Sequence, residues 1–153
     1  MKIVCLGKTK QKFIEDGISE YQKRISKYFK LDWQILPDVK LTGSNTIEQV
    51  KEQEAEIILK KLPMSSFIIV LDGTGEEFSS VKIAKFLENK LNTEKDIIFI
   101  IGGVYGLSNR ILKKANIVLS FSKFTFTHQM IRLLLIEQLY RSFTIIKNKK
   151  YHY

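Results

Sequence analysis

The sequence predicts an α/β fold in which a mainly parallel sheet is covered by flanking helices. Three observations carry this reading. Short apolar runs alternate with segments of helical spacing along all 153 residues. The runs at 67–71 and 97–101 are apolar on both faces, as strands enclosed in a parallel sheet are. Three of the runs also end in loops rich in glycine or in small polar residues, where such sheets place ligands. The length suits one domain spanning residues 1–153, and a composition of 44% hydrophobic and 27% charged residues is globular rather than disordered.

Taken in order, residues 2–6 form a first strand that stops at Gly7. From Phe13 to about Lys30, the positions Phe13, Ile14, Gly17, Ile18, Tyr21, Ile25 and Phe29 recur at helical spacing with lysines between them, which predicts an amphipathic helix. Residues 31–36 alternate and end at Pro37, giving a second strand and then a loop over 38–44. Asn45 with Glu48 three positions on reads as an N-cap for a helix carried by Val50, Ile57, Ile58 and Leu62 to Pro63. Residues 67–71 are a buried strand, and Asp72-Gly73-Thr74-Gly75 predicts a turn after it. Ser79 or Ser80 caps the next helix, with Ile83, Phe86, Leu87 and Leu91 on its inner face. The strand at 97–101 closes on Gly102-Gly103-Val104-Tyr105-Gly106, Ser108 caps a short helix, and 117–119 is a last strand. Residues 120–126 lead into a final helix from about Thr127 to Lys147.

That final helix places Leu133, Leu134, Leu135, Ile136, Leu139, Tyr140, Phe143, Ile145 and Ile146 on nearly every side of its cylinder. One face packs on the sheet, and the simplest cover for the remainder is a second copy across a two-fold axis, so a homodimer is expected. Enclosure by the helix's own chain is the alternative.

Several classes are excluded. No apolar run has the roughly 20 residues of a membrane span, and the amino terminus lacks the pattern of a secretory signal, so a soluble cytoplasmic protein without membrane association is expected. A lone Cys5 and two histidines do not make a structural zinc site, and no metal is expected. The net charge is +9, and it is unevenly spread: +5 over residues 1–30, −1 over 31–120 and +5 over 121–153. Two basic ends around a near-neutral middle predict an anion-binding surface built from the termini, against the plainer reading of charge kept for solubility.

The three strand-end loops, at 71–75, 101–106 and 119–127, suggest one pocket. It is not a phosphate loop, because no lysine followed by Ser or Thr comes after either glycine cluster. It is not a dinucleotide fingerprint either, since Phe78 stands where the third glycine belongs. A phosphorylated receiver domain needs carboxylates near its first strand, and Cys5-Leu6-Gly7-Lys8 offers none.

The strings LDGTGEEFSS (71–80), FIIGGVYGLS (99–108) and FTHQMIRLLLIEQLYRSFTIIKNKKYHY (126–153) resemble the ribosomal large-subunit methyltransferase H family of the SPOUT superfamily, in motif order and spacing over essentially the whole chain. The resemblance implies a SPOUT-type α/β knot, with a trefoil knot in the C-terminal half that binds S-adenosyl-L-methionine. It also implies a homodimer, and methylation of N3 of a pseudouridine in 23S rRNA within the assembled ribosome. Carried onto this sequence, the cofactor would be held by Leu71, by Gly102 and Gly103 as bare backbone, and by Ser122, Lys123, Phe124, Thr125, Phe126 and Thr127. Because N3 of a uracil-like ring is a weak acid, its proton must be removed or the developing anion stabilised. His128, beside the cofactor loop, is a candidate acceptor, with local capping as its alternative. Arg132, one turn on, orients the loop or balances charge. Glu137 and Arg141 form an i, i+4 pair, and Arg141 is a candidate phosphate contact. The terminal Tyr151-His152 matches the family's closing pair and implies a tail over the site, with Tyr151 stacking on a base and His152 in proton transfer or polar contact. Family members often follow that pair with a basic residue where this chain has Tyr153, and Lys149 and Lys150 are then the candidate phosphate contacts. Two competing readings stand beside this one: a basic RNA- or ribosome-binding module without chemistry, and a SPOUT methyltransferase acting on another RNA position.

Overall fold

The computed structural model describes residues 1–151. Strands and helices alternate: β1 (Lys2–Leu6), α1 (Lys12–Ile25), β2 (Asp32–Leu36), α2 (Ile47–Leu59), β3 (Phe67–Glu77), α3 (Ser80–Thr93), β4 (Ile97–Ile101), α4 (Asn109–Lys114), β5 (Ile117–Ser120) and α5 (His128–Ile146). The strands form one sheet in the order β2-β1-β4-β3-β5, and every pairing is parallel. The predicted α/β class with a mainly parallel sheet is therefore what the chain forms.

Side chains alternate across the strands, so two cores result. Ile3, Cys5, Ile69, Leu71, Ile97, Phe99 and Ile101 face α1, α3 and α5, while Val4, Leu6, Ile68, Val70, Ile98 and Ile100 face α2 and α4. Helices thus cover both faces, which is why the central strands are apolar throughout.

Local differences from the sequence reading have physical causes. Thr46, not Asn45, caps α2, and its partner is Gln49: the Gln49 N–H donates to the Thr46 hydroxyl while the Thr46 N–H donates to the Gln49 amide oxygen. Asn45 instead ties the preceding loop, accepting from the Thr42 N–H at 2.7 Å. Helix α1 stops at Ile25, and the next turn brings Tyr28 and Phe29 onto Phe143, the Phe29 and Phe143 rings lying 4.3 Å apart. The segment 72–75 does not reverse the chain. Strand β3 runs through it as an irregularity, and Glu76 and Glu77 pair with Leu119 and Ser120 of β5. Gly75 is the residue that permits this, since a Cβ there would lie 2.6 Å from the Val118 backbone.

No residue of α5 is fully exposed within the single chain, because α1 and α3 flank it and the sheet lies beneath. The chain itself therefore covers part of α5, and most of the helix's residues remain partly exposed. Close approach of α1 depends on Gly17, where a Cβ would meet Leu133 at 2.8 Å. Among the described residues, no helix is long and apolar enough to cross a membrane.

Candidate active site

Beyond the carboxyl ends of β3, β4 and β5 lies a cleft of about 830 Å³, within the range of small-molecule sites. Its lining joins Leu71 to Gly73, Ile101 to Val104, and a continuous wall from Leu119 to Gln129. The three loops predicted to share a pocket do share one. Every residue expected to hold the cofactor lines it: Leu71, Gly102, Gly103, Ser122, Lys123, Phe124, Thr125, Phe126 and Thr127.

The glycines are also required by what packs behind them. A Cβ on Gly102 would lie 2.8 Å from Leu107, and one on Gly103 would lie 2.9 Å from the Glu54 carboxylate. Both are glycine because protein packs closely behind the loop, leaving their peptide backbone for the cleft. Gly106 has φ +80 and closes the turn, its N–H donating to the Gly103 carbonyl. At Gly73 the direction of a Cβ is open.

The wall at 120–127 is held by its own hydrogen bonds. The Ser120 hydroxyl donates to the Ser122 carbonyl at 3.0 Å, and the Phe124 N–H donates to the Ser122 hydroxyl at 3.0 Å. Lys123 lies 3.5 Å from Glu77. Phe124 is 82% exposed, so an aromatic face stands in solvent on the lining of the cleft. Thr127 ends the wall and caps α5, accepting from the Met130 N–H.

Helix α5 then carries the chain back to the end of β1. Arg132 is fully buried and donates to the carbonyls of Leu6 at 2.5 Å and Gly7 at 2.9 Å, and to the Thr9 hydroxyl at 3.1 Å. It clamps the first turns of α5 to β1 and does not line the cleft. Gln129 adds to the clamp by accepting from the Lys10 N–H at 2.8 Å. His128 is half-buried and borders the cleft. Burial, and then the nearby positive charges of Arg132 and Lys10, hold its pKa below 6.5 against the opposing pull of Asp38. Its imidazole is therefore neutral at pH 7 and able to accept a proton.

The C-terminal residues lie elsewhere. Tyr151 packs edge-on against Tyr140, 4.7 Å between centroids, and donates to Glu137 at 3.2 Å, with the Tyr21 hydroxyl 3.1 Å from its own. Arg141 donates to Glu137 at 3.0 Å through Nε and lies 4.8 Å over the Tyr151 ring. The predicted i, i+4 pair is present, but it serves to dock the tail. Glu137 sits nine residues, or about 13 Å, along α5 from His128, and Tyr151 does not line the cleft of its own chain. Lys149 and Lys150 are exposed. His152 lies outside the described residues.

The site also contains residues that the sequence does not single out. Glu54 of α2 is buried directly behind Gly103, and Asp38 stands beside it. A signal for Glu54 exists: it falls on the apolar stripe of α2, four residues from Val50 and four from Ile58, where a carboxylate is out of place.

Comparison with known proteins places this architecture. Residues 1–152 match the family described as "Predicted SPOUT methyltransferase". The chain is 44% identical over its whole length to a ribosomal RNA large subunit methyltransferase H of Christiangramia forsetii, covering 98% of that protein. It is 46% identical to the protein of the same name from Flavobacterium johnsoniae, again over 100% of this chain and 98% of the other. The figure is 38% for that of Caldicellulosiruptor saccharolyticus, over 99% of each chain. Among solved structures, a probable methylase family protein from Haemophilus influenzae matches with a TM-score of 0.58 at 16% identity, over 99% of this chain and 70% of that one, and so shares the fold.

Proposed function

The chain belongs to the SPOUT methyltransferase family, and we propose that it transfers a methyl group from S-adenosyl-L-methionine to N3 of a pseudouridine in 23S rRNA of the assembled ribosome. The observation that supports this most is the single cleft formed by the three strand-end loops, with every residue carried over from the family motif on its lining. The protein is a methyltransferase by family. The cofactor, target atom and ribosomal setting are the reading proposed here, as are a C-terminal trefoil knot, one domain over residues 1–153, and a cytoplasmic location.

The residues present fit adenosylmethionine. The cleft has the volume for a ligand of that size, backbone at Gly102 and Gly103 to meet an adenine edge, and apolar side chains at Leu71 and Phe126 to enclose the ring. Among the described residues its one lysine, Lys123, is paired with Glu77, as suits a ligand without phosphate. When bound, this cofactor supplies an electrophilic methyl on a sulfonium whose leaving group is neutral. The protein's work is then alignment, exclusion of water, and the proton on N3.

His128 takes that proton in this reading, since its imidazole is neutral, half-buried and at the cleft border. Arg132 is a positioning residue: by tying α5 to Leu6 and Gly7 it fixes where His128 stands. Arg141, Lys149 and Lys150 meet rRNA phosphates, and Tyr151 with His152 meets the target loop. Because Tyr151 docks away from the cleft of its own chain, the tail serves the cleft of a second protomer in a homodimer.

Titration of the protein with adenosylmethionine, followed by incubation of the complex with ribosomes, tests the reading. Saturable binding and transfer of labelled methyl to large-subunit RNA are expected. Absence of binding at millimolar cofactor would favour a non-catalytic RNA-binding module.

A further inference from the structure

Glu54 is 3% exposed, among the apolar residues Val50, Ala55 and Ile58. One carboxylate oxygen accepts the Val39 N–H at 3.1 Å, and among the described residues no donor reaches the other. A buried polar oxygen without a donor is costly to keep out of water, so keeping one calls for a use. The chain also keeps a glycine at 103, where any side chain would collide with these oxygens.

Glu54 also lines a second cavity of about 70 Å³, together with Lys8, Lys10, Asp38, Tyr105 and His128. The share of a water is about 30 Å³, so this space admits the edge of a ring rather than a nucleotide. The cavity shares Gly103, Val104, His128 and Gln129 with the large cleft, so the two meet along that wall. Its position in the sheet is telling. From β1 the chain leaves through α1 toward β2, and from the adjacent β4 it leaves through α4 over the opposite face toward β5. Neighbouring strands whose connections diverge define the switch point where open parallel sheets bind ligands, and the cavity lies there. Among the described residues, no three His, Cys, Asp or Glu side chains converge as a metal-binding set, so the free oxygen calls for a hydrogen-bond donor.

We propose that this cavity receives one edge of the target base, and that Glu54 accepts the N1–H of pseudouridine and thereby selects pseudouridine over uridine. The inference rests on the target base read above. In pseudouridine the sugar is attached through carbon, and N1 carries a hydrogen. In uridine N1 is the glycosidic nitrogen and has none. N1 and N3 flank the same carbonyl, and their N–H bonds diverge, so a ring on the shared wall can turn N3 toward the cofactor cleft and N1 toward Glu54. Lys8 and Lys10, exposed at the rim, face the backbone phosphate of the same nucleotide. Either protonation state of Glu54 retains an acceptor.

Glu54→Gln separates this role from simple support. The Val39 N–H holds one oxygen, so the amide must turn its NH2 toward the cavity and meet N1–H donor to donor. Initial rates of methyl transfer would be measured on ribosomes with pseudouridine at the target position, and on ribosomes from cells lacking the synthase that makes it. Sites built around a donor reject analogues lacking it by up to about 10⁴-fold, so the unaltered protein should prefer pseudouridine by at least about 100-fold. Glu54→Gln should bring that preference within about tenfold by slowing the pseudouridine reaction alone, with adenosylmethionine affinity unchanged. Glu54→Asp, which retracts the oxygen, should act alike and is read the same way if the glutamine variant is insoluble. An unchanged preference, or equal slowing on both ribosomes, would overturn the assignment of Glu54 alone. An unaltered protein that methylates neither ribosome, or both equally, would overturn the target-base reading and this inference with it.

Discussion

Three buried or half-buried ionisable side chains, Glu54, His128 and Arg132, gather where α5 returns to the end of β1, and each has a measurable signature. Burial first, and the negative charge of Asp38 after it, raise the Glu54 pKa above 4.5. The folded state then holds this proton more tightly than the unfolded chain, so the stability it brings is present below pH 4.5 and is lost as pH rises through the folded value. Glu54→Gln should therefore unfold at a higher temperature than the unaltered protein at pH 7.5, with the gap shrinking toward pH 4.5 in calorimetry. For His128 the sign is reversed. Its folded pKa lies below 6.5, so the unfolded chain binds more protons and stability falls as pH drops below about 6.5, a slope that His128→Asn should flatten. Arg132→Met should cost about 2–3 kcal/mol in denaturant unfolding, because three acceptors lose a charged donor. Arg132→Lys should recover only part, since one ammonium does not span them. The cleft residues were legible because glycine-rich strand ends and the terminal motif announce them. Glu54 was not, because one glutamate in the run Glu48, Glu52, Glu54 and Glu56 looks solvated until the apolar stripe around it is drawn.

At the scale of elements, type and order were readable and the joins were not. Asp72-Gly73-Thr74-Gly75 has the composition of a turn, yet β3 continues to Glu77, because Gly75 lets two backbones meet and β5 then pairs with the extension. Only the partner strand decides this, and a sequence does not show it. Gly75→Ala should cost about 1–3 kcal/mol of stability, since its Cβ meets the Val118 backbone, which has little room to move. Helix α5 was readable as apolar all round, but whether its own chain or a second copy covers it depends on where α1 and α3 fall. The C-terminal tail is fastened to the outside of α5. Burial and hydrogen bonding raise the Tyr151 pKa, so the phenol stays protonated and donates to Glu137. Tyr151→Phe keeps the ring contacts and removes that donor. Faster proteolysis near residues 147–151 is expected, with adenosylmethionine affinity unchanged, and a loss of affinity would mean that the docked tail supports a cofactor cleft.

At the scale of the whole molecule, the fold brings the two basic ends of the chain together. Helix α1 packs along α5, and Tyr21 meets Tyr151, so residues 1–30 and 121–151 contribute to one side. The uneven charge was legible by counting; its convergence required the strand order β2-β1-β4-β3-β5, which periodicity does not encode. If this side meets rRNA phosphates, ribosome affinity should fall steeply between low and moderate salt, while adenosylmethionine affinity, which involves no phosphate, should change little. The same strand order sets two cavities along one wall, of about 830 Å³ and about 70 Å³. Mapping the transferred methyl tests the proposed reaction most directly. Large-subunit RNA from ribosomes incubated with the protein and adenosylmethionine would be digested and sequenced by mass spectrometry. A single added methyl on the base of a pseudouridine in 23S rRNA, at N3, is the result expected. A methyl on a ribose, on an unmodified uridine or on another base would contradict it.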